Sequence, residues 1–123
     1  MKVPIPSILL ERAWALECRA KACWGQDAQR LMVCEEAGEL VSAIAQHARG
    51  RATAQEVVDE AADAIIVACA AVAVVDLDLV DLEQALRAKL DRLQSRVNDH
   101  DRKKQQMAIA AMHNGRENLE AGK

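Results

Sequence analysis

Aromatic side chains are almost absent from this chain, which has two tryptophans and no phenylalanine or tyrosine among its 123 residues. Glycine and proline are also scarce, with 5 and 2 residues, although 51% of the chain is hydrophobic. Sheet-rich domains usually depend on aromatic and β-branched residues and on many turns. A core built from aliphatic and alanine side chains instead favours closely packed helices, and the chain length fits one domain.

The chain also lacks a cysteine framework and a strong charge. Its four cysteines form no Cys-x-x-Cys pair and no paired Cys/His spacing, so neither a zinc site nor a disulfide framework is predicted. Reduced thiols are typical of the cytosol, and we expect a cytoplasmic location. The formal net charge of -3 provides no overall attraction for nucleic acid or an anionic membrane surface. The longest apolar run, Ala64–Val75, is too short for the roughly 20 residues that cross a bilayer.

Capping and breaking residues predict four helices. They span residues 7–22, 28–48, 54–75 and 79–97. We expect N-cap residues at Ser7, Asp27 and Asp78. Thr53 and Glu56 match a capping box, in which each side chain accepts a hydrogen bond from the backbone N–H group of the other residue, and this is the clearest helix start in the chain.

The third predicted helix is apolar on all sides beyond Asp63, so other helices must surround it. Four helices from one short chain scarcely enclose it, and we infer that a second subunit covers part of it. The predicted fold is therefore an all-α, four-helix-type bundle completed by dimerisation. We assign residues 1–98 to this domain and residues 99–123 to a polar C-terminal extension, partly helical or disordered, because its last ten residues have few apolar groups.

Two pairs of acidic residues stand at helical spacing on either side of the turn around Gly50. Glu36 and Glu39 are three residues apart, and so are Glu60 and Asp63. This spacing places both members of a pair on one face of a helix, one turn apart. The first pair lies 14 and 11 residues before Gly50, and the second lies 10 and 13 residues after it. In an antiparallel hairpin the two pairs therefore reach nearly the same height.

Four converging carboxylates predict a metal site. Like charges raise one another's pKa values, and burial disfavours the ionised forms, so such a cluster is costly without a cation. A hard divalent cation removes this cost, and Mg²⁺ prefers carboxylate and water oxygens. The candidate ligands are Glu36, Glu39, Glu60 and Asp63.

A group of basic residues follows in the fourth predicted helix. Lys89, Arg92 and Arg96 lie on one of its faces. Acidic residues that hold a cation and basic residues that face it suit a phosphate chain, because Mg²⁺ keeps part of its coordination for substrate phosphates. Bound Mg²⁺ also polarises a phosphoryl group, so the predicted reaction is hydrolysis of a phosphoanhydride.

These residues resemble a known family. Glu35-Glu36-x-x-Glu39, then Glu60-x-x-Asp63 and later Lys89-Leu90-Asp91-Arg92-Leu93, look like the MazG-like branch of the all-α nucleoside triphosphate pyrophosphohydrolases. The resemblance covers about residues 24–96. It implies a dimeric helical bundle, often a tetramer formed by two dimers, and Mg²⁺-dependent hydrolysis of (d)NTPs between the α and β phosphates for house-cleaning or pool control.

The resemblance also implies roles for individual residues. The four candidate ligands hold Mg²⁺, with Mn²⁺ as a possible substitute. Glu35 matches the acid before them and orients a water molecule or pairs with a base. The three basic residues of the fourth helix neutralise the β and γ phosphates. Aromatic residues usually clamp the base in this family, and this chain offers only Trp14 and Trp24. Base-binding candidates are Trp24, Gln26 and Gln29.

Three alternatives stay open from the sequence. A related all-α enzyme with a narrower substrate, such as dUTP, dCTP or phosphoribosyl-ATP, would share the metal site and differ in the base pocket. A ferritin-like redox protein uses Glu-x-x-His motifs, whereas the positions three residues after Glu36 and Glu60 are acidic. A non-catalytic helical interaction module would carry the same acids as a solvated face.

Overall fold

The computed structural model describes residues 5–122, with the side chains of residues 8–119, 121 and 122. Regular structure in this range is entirely helical, so the prediction of an all-α fold is confirmed. The helices are α1 (Ile5–Trp24), α2 (Gln26–Ala48), α3 (Ala54–Val74) and α4 (Leu79–Ala121). In the described range, no helix combines the length and the apolarity needed to cross a membrane.

The starts of α1 and α2 differ from the prediction. The first helix begins at Ile5 rather than at Ser7, and the predicted capping by the Ser7 side chain falls outside the described side chains. The N-cap of α2 is Gly25, with φ 91°, a backbone conformation that glycine adopts without a Cβ penalty. The prediction of Asp27 as N-cap is wrong. Asp27 lies in the first turn of α2, where Arg30 Nη1 is 3.3 Å from its Oδ1.

The turn between α2 and α3 follows the prediction closely. Gly50 has φ 72°, and the capping box is present at the start of α3. The Glu56 backbone N–H donates to Thr53 Oγ1 at 3.1 Å, and the Thr53 backbone N–H donates to Glu56 Oε2 at 2.9 Å. Because both ends of the link are fixed locally, α2 and α3 form a helical hairpin.

α3 is the central helix of the first three, and it packs against both α2 and α1. The buried residues of α3 lie in its C-terminal half and are Val67, Cys69, Ala70, Ala73 and Val74. In its N-terminal half, Val58 and Ile65 are exposed. The prediction that partners surround the apolar part of α3 therefore holds within the chain only for the segment from Val67 onward.

The end of α3 is tied to α1 by one lysine. Lys21 Nζ donates to the Ala73 carbonyl at 2.8 Å and lies 3.0 Å from Asp76 Oδ1. Asp76 has a positive φ of 61°, as is common for the residue that ends a helix in the left-handed region. A lysine at this position satisfies a terminal carbonyl that the helix itself leaves free.

α4 is much longer than predicted. It begins after Asp78, whose backbone N–H donates to the Asp81 carboxylate at 2.9 Å while the Asp81 N–H donates back at 3.1 Å. The predicted end at Val97 is wrong, because the helix continues to Ala121 through most of the predicted C-terminal extension. No glycine or proline interrupts the sequence from Leu79 to Asn114, so nothing in the backbone chemistry stops the helix at Asn98.

The chain divides into two compact units, one ending at Glu83 and one beginning at Gln84. The first contains α1, α2, α3 and the first residues of α4. The second consists of the remainder of α4, whose side chains are exposed throughout the described range. The predicted division of the domains at residue 98 stays a prediction.

Candidate metal centre

The α2–α3 hairpin brings the two predicted acidic pairs together. Glu36 of α2 and Glu60 and Asp63 of α3 each offer a carboxylate oxygen, and these three atoms lie within 4.8 Å of one another. Glu39 is not one of these three residues, but it lies close enough to Glu36 and Glu60 for its charge to raise the pKa values of both. Glu36 and Glu60 are half-buried, whereas Glu39 and Asp63 are exposed. The four residues therefore form one carboxylate cluster with a buried side and an open side.

The buried side of the carboxylate cluster is electrostatically strained. Desolvation raises the pKa of Glu36, and the neighbouring charges of Glu39, Asp63 and Glu60 raise it further. Desolvation likewise raises the pKa of Glu60, followed by the charges of Glu39, Asp63 and Asp59. Like charges at this separation disfavour the ionised form of each carboxylate.

Two oxygens in the cluster have no hydrogen-bond donor. Glu36 Oε2 and Glu60 Oε2 are buried, and neither has a partner among the residues that the structure describes. A buried carboxylate oxygen normally has a partner, because leaving it without one costs free energy. These two atoms come from different helices of the hairpin and belong to the same cluster.

The donor set fits a hard divalent cation. The three side chains whose oxygens meet are all carboxylates, as is the neighbouring Glu39, and no cysteine or histidine belongs to the group in the described part of the chain. Oxygen ligands suit Mg²⁺, Ca²⁺ or Mn²⁺ rather than zinc or an iron-sulfur cluster. A cation would also provide the missing partner for the two buried oxygens and would lower the repulsion among the carboxylates.

Glu35 and the three basic candidates are all exposed. Glu35 is exposed on α2. Lys89, Arg92 and Arg96 are exposed in the second unit, and their spacing of three and four residues places them on one face of α4. None of these three forms an ion pair with any described residue.

The three base-binding candidates cluster around the α1–α2 junction but differ in exposure. Trp24 ends α1 and is 66% exposed. Gln26 begins α2, and its amide Nε2 donates to the Val74 carbonyl. Gln29 is 1% exposed, and its Nε2 donates to Glu17 Oε2 at 2.7 Å.

Sequence reasoning missed Glu17, a buried acid of α1. Its spacing from Ala13 and Ala20, four residues before and three after, places a carboxylate on the same helix face as two small apolar residues. An acidic residue on an apolar helix face indicates a buried polar contact, because charged residues are rarely buried without a partner.

An all-helical unit in which two hairpin helices contribute carboxylates to one oxygen-only cluster is consistent with the class of all-α pyrophosphohydrolases. The family model described as phosphoribosyl-ATP pyrophosphohydrolase matches residues 23–89, which are 67 of the 123 residues. The chain belongs to this family, which confirms the resemblance to the MazG-like pyrophosphohydrolases. The matched segment contains the whole hairpin and ends at Lys89, so Arg92 and Arg96 lie beyond it. No curated protein and no solved structure matches the chain.

Proposed function

We propose that this chain hydrolyses the α-β phosphoanhydride of a nucleoside triphosphate, giving the monophosphate and pyrophosphate, with Mg²⁺ as cofactor and Mn²⁺ as a possible substitute. The observation that carries the proposal is the pair of buried oxygens, Glu36 Oε2 and Glu60 Oε2, that lack a hydrogen-bond partner among the described residues. Membership of a pyrophosphohydrolase family supports the reaction class. House-cleaning or control of a nucleotide pool is the proposed role.

The proposal assigns the cation to Glu36, Glu39, Glu60 and Asp63. The half-buried Glu36 and Glu60 would bind the cation on the side that faces the protein. Glu39 and Asp63 would bind it on the exposed side, where solvent and substrate can occupy the remaining coordination positions. When bound, the cation supplies polarisation of a phosphoryl oxygen and a lowered pKa for a bound water. The carboxylates keep it in place and balance its charge.

Phosphate binding is assigned to Lys89, Arg92 and Arg96. The assignment rests on their common face on α4 and on their freedom from ion pairs with described residues. Arginine binds phosphate oxygens through two parallel hydrogen bonds, and lysine acts as a compact charge. We assign to exposed Glu35 the orientation of the attacking water or the pairing with a basic residue.

Base recognition is assigned first to Trp24. Its exposed indole is available for stacking on a base. Gln26 and Gln29 are secondary candidates, because the amide N–H groups of both residues already donate to protein atoms.

A second substrate, phosphoribosyl-ATP, is favoured by the description of the matching family model. This molecule carries the same triphosphate, so the carboxylate cluster would act in the same way. The additional phosphoribosyl group would need further contacts around the base. The two candidates therefore differ outside the metal centre and share the chemistry within it.

The proposed assembly is a homodimer or a tetramer formed by two dimers. It is supported by large apolar side chains that the single chain leaves exposed in the hairpin, namely Val41, Ile44, Val58 and Ile65. The cytoplasm is the proposed location, supported by four free cysteines, which a reducing compartment maintains. Light scattering on the purified protein measures the mass of the assembly.

The experiment that tests the proposed function is a product assay on a substrate panel. Canonical NTPs, dNTPs and phosphoribosyl-ATP are each incubated with Mg²⁺, with Mn²⁺ and with a chelator, and monophosphate and pyrophosphate products are quantified. We expect metal-dependent release of pyrophosphate from at least one substrate. Release of orthophosphate instead, or turnover that survives the chelator, would contradict the proposal.

A further inference from the structure

A second polar contact lies buried where α1 meets α2. Gln29 is 1% exposed, and Glu17 is 8% exposed. Gln29 Nε2 donates to Glu17 Oε2 at 2.7 Å, but Gln29 Oε1 is buried and has no hydrogen-bond partner among the described residues. A buried amide oxygen without a donor is costly, so a donor is expected nearby.

The exposed Arg19 lines the same pocket as Glu17. Among the residues that the structure describes, no lysine, arginine or histidine forms an ion pair with Glu17. Lys21, one turn further along α1, directs its ammonium group to Ala73 and Asp76. The groups around Glu17 include the fully buried Cys69 of α3 and Cys23 of α1, and α2 presents the uncharged Gln29.

We propose that Glu17 is held as a neutral carboxylic acid whose O–H donates to Gln29 Oε1, which completes a cyclic acid-amide pair between α1 and α2. One carboxyl oxygen already accepts from the Gln29 amide, and the other carries the proton. A protonated carboxyl has one donor and an acceptor side by side, which matches the acceptor and donor of a primary amide. Two hydrogen bonds then satisfy the buried groups, whereas an ionised carboxylate leaves Gln29 Oε1 without a donor.

Desolvation of the buried Glu17 carboxyl group also favours its neutral, protonated form. Burial raises the pKa of Glu17 above its ordinary value of 4.5, and the hydrogen bond from Gln29 lowers it by less. Desolvation also raises the pKa of the neighbouring Cys69 thiol, so the thiol keeps its proton as well. The pocket around Glu17 therefore favours neutral groups.

The pair has a consequence for the carboxylate cluster. Gln29 is seven residues before Glu36, which is about two helical turns, so both residues lie on the same face of α2. A two-bond contact at Gln29 fixes the rotation of α2 against α1. Glu17 is thus a positioning residue for the face of α2 that carries Glu36, and it does not itself touch the cluster.

The proposal gives a definite sign for the effect of pH. Because the pKa of Glu17 is raised in the folded state, its contribution to stability is fully present below 4.5 and is lost as pH rises through the folded-state pKa. Within that window the unfolding equilibrium constant should rise by up to about tenfold per pH unit through this group alone.

The first test compares Glu17→Gln with the unchanged chain. A glutamine offers Gln29 both a donor and an acceptor at every pH, so the stability of the variant relative to the unchanged chain should increase as pH rises from 4.5 through the folded-state pKa of Glu17. The matched control is Glu11→Gln, which makes the same chemical change at an exposed position of α1 and should show no such increase. A Glu17→Gln difference that stays constant with pH would overturn the proposal.

The second test uses the unchanged chain and does not depend on a variant that folds. Carboxyl ¹³C resonances of labelled glutamates are followed by NMR during a pH titration in the presence of chelator. The resonance assigned to Glu17 should titrate above 4.5, and the side-chain amide protons of Gln29 should shift with the same midpoint. A midpoint at or below 4.5, or Gln29 protons that do not respond, would overturn the acid-amide pair.

Discussion

Glu36 of α2 and Glu60 of α3 each bury one carboxylate oxygen, and neither oxygen finds a donor among the residues that the structure describes. Desolvation raises the pKa values of Glu36 and Glu60, and the neighbouring charges of Glu39 and Asp63 raise them further. The hairpin thus holds its acids in an arrangement that is unfavourable for the cation-free protein. An arrangement of this kind is typical of functional sites, which trade stability for chemistry.

Turnover should depend on the exposed members of the carboxylate cluster. Glu39→Gln and Asp63→Asn each replace a charged oxygen ligand by a neutral amide of similar shape. We expect each variant to lose a factor on the order of a hundred or more in activity, since even partners of metal ligands are worth about 10- to 100-fold. Pyrophosphate release measures the loss, and far-UV circular dichroism should report unchanged helix content.

The control for these variants is Glu11→Gln, an exposed acid of α1 outside the cluster, which should retain full activity. If Glu39→Gln and Asp63→Asn both remained active, the assignment of these residues as ligands would be wrong.

Removing one buried charge should stabilise the cation-free protein. Glu60→Gln eliminates a desolvated carboxylate and its repulsion with Glu39 and Asp63. We expect a higher midpoint of thermal unfolding than in the unchanged chain when chelator is present. Added Mg²⁺ should stabilise the unchanged chain and have little effect on Glu60→Gln, because the variant has lost a ligand. Equal stabilisation of both proteins by Mg²⁺ would show that the cation binds elsewhere.

The cation-free protein should lose stability as pH rises above 4.5. Glu36 and Glu60 have pKa values raised above this ordinary value in the folded state, so their contribution is present at low pH and is lost through the folded-state pKa values. Urea unfolding at several pH values, with chelator, measures the trend. The double variant Glu36→Gln, Glu60→Gln should show a shallower decline, and the same slope in both proteins would show that these two carboxyl groups do not cause it.

Lys89 should matter for phosphate and not for the nucleoside. We expect Lys89→Ala to weaken triphosphate binding by roughly 10- to 150-fold, the range of a charge-assisted hydrogen bond worth about 1.5–3 kcal/mol, with little effect on nucleoside binding. Isothermal titration calorimetry with a non-hydrolysable triphosphate and with the nucleoside measures both. Arg87→Ala is the matched control, because Arg87 is exposed on α4 about 200° around the helix from Lys89. Equal losses in the two variants would indicate a general charge effect.

The capping box at Thr53 should contribute measurably to stability. Thr53→Ala removes the side-chain acceptor for the Glu56 N–H and should cost about 1 kcal/mol in free energy of unfolding. Thr53→Ser retains the hydroxyl and should cost little. Urea unfolding compares the variants, and a serine variant as unstable as the alanine variant would show that the threonine methyl group, and not the cap, matters.

Local chemistry made the hairpin predictable. The capping box, the positive φ of Gly50 and the periodic acids are all short-range signals, so both helices and the convergence of their carboxylates followed from the sequence. The start of α2 was predicted less well, because two break signals, Gly25 and Asp27, stand two residues apart. Gly25 is the N-cap residue, and Asp27 lies in the first turn of the helix.

Other features depended on information that a single sequence does not carry. Beyond Val97 the residues are polar but good helix formers, and low apolar content does not distinguish an exposed helix from an unfolded segment. The contact between Glu17 and Gln29 joins residues on two helices, and its existence depends on how α1 packs against α2. Their buried state became visible only with the tertiary structure.

Because α2 is continuous from Gln26 to Ala48, the number of residues between its acidic pair and the Gly50 turn determines where those carboxylates lie. One residue inserted between Glu39 and the Gly50 turn would leave every acidic residue in the sequence. It would nevertheless turn Glu36 and Glu39 by about 100° around the helix axis and shift them by about 1.5 Å against α3. A relative could therefore retain both acidic pairs and still lose the carboxylate cluster, if the number of residues between either pair and the turn were different.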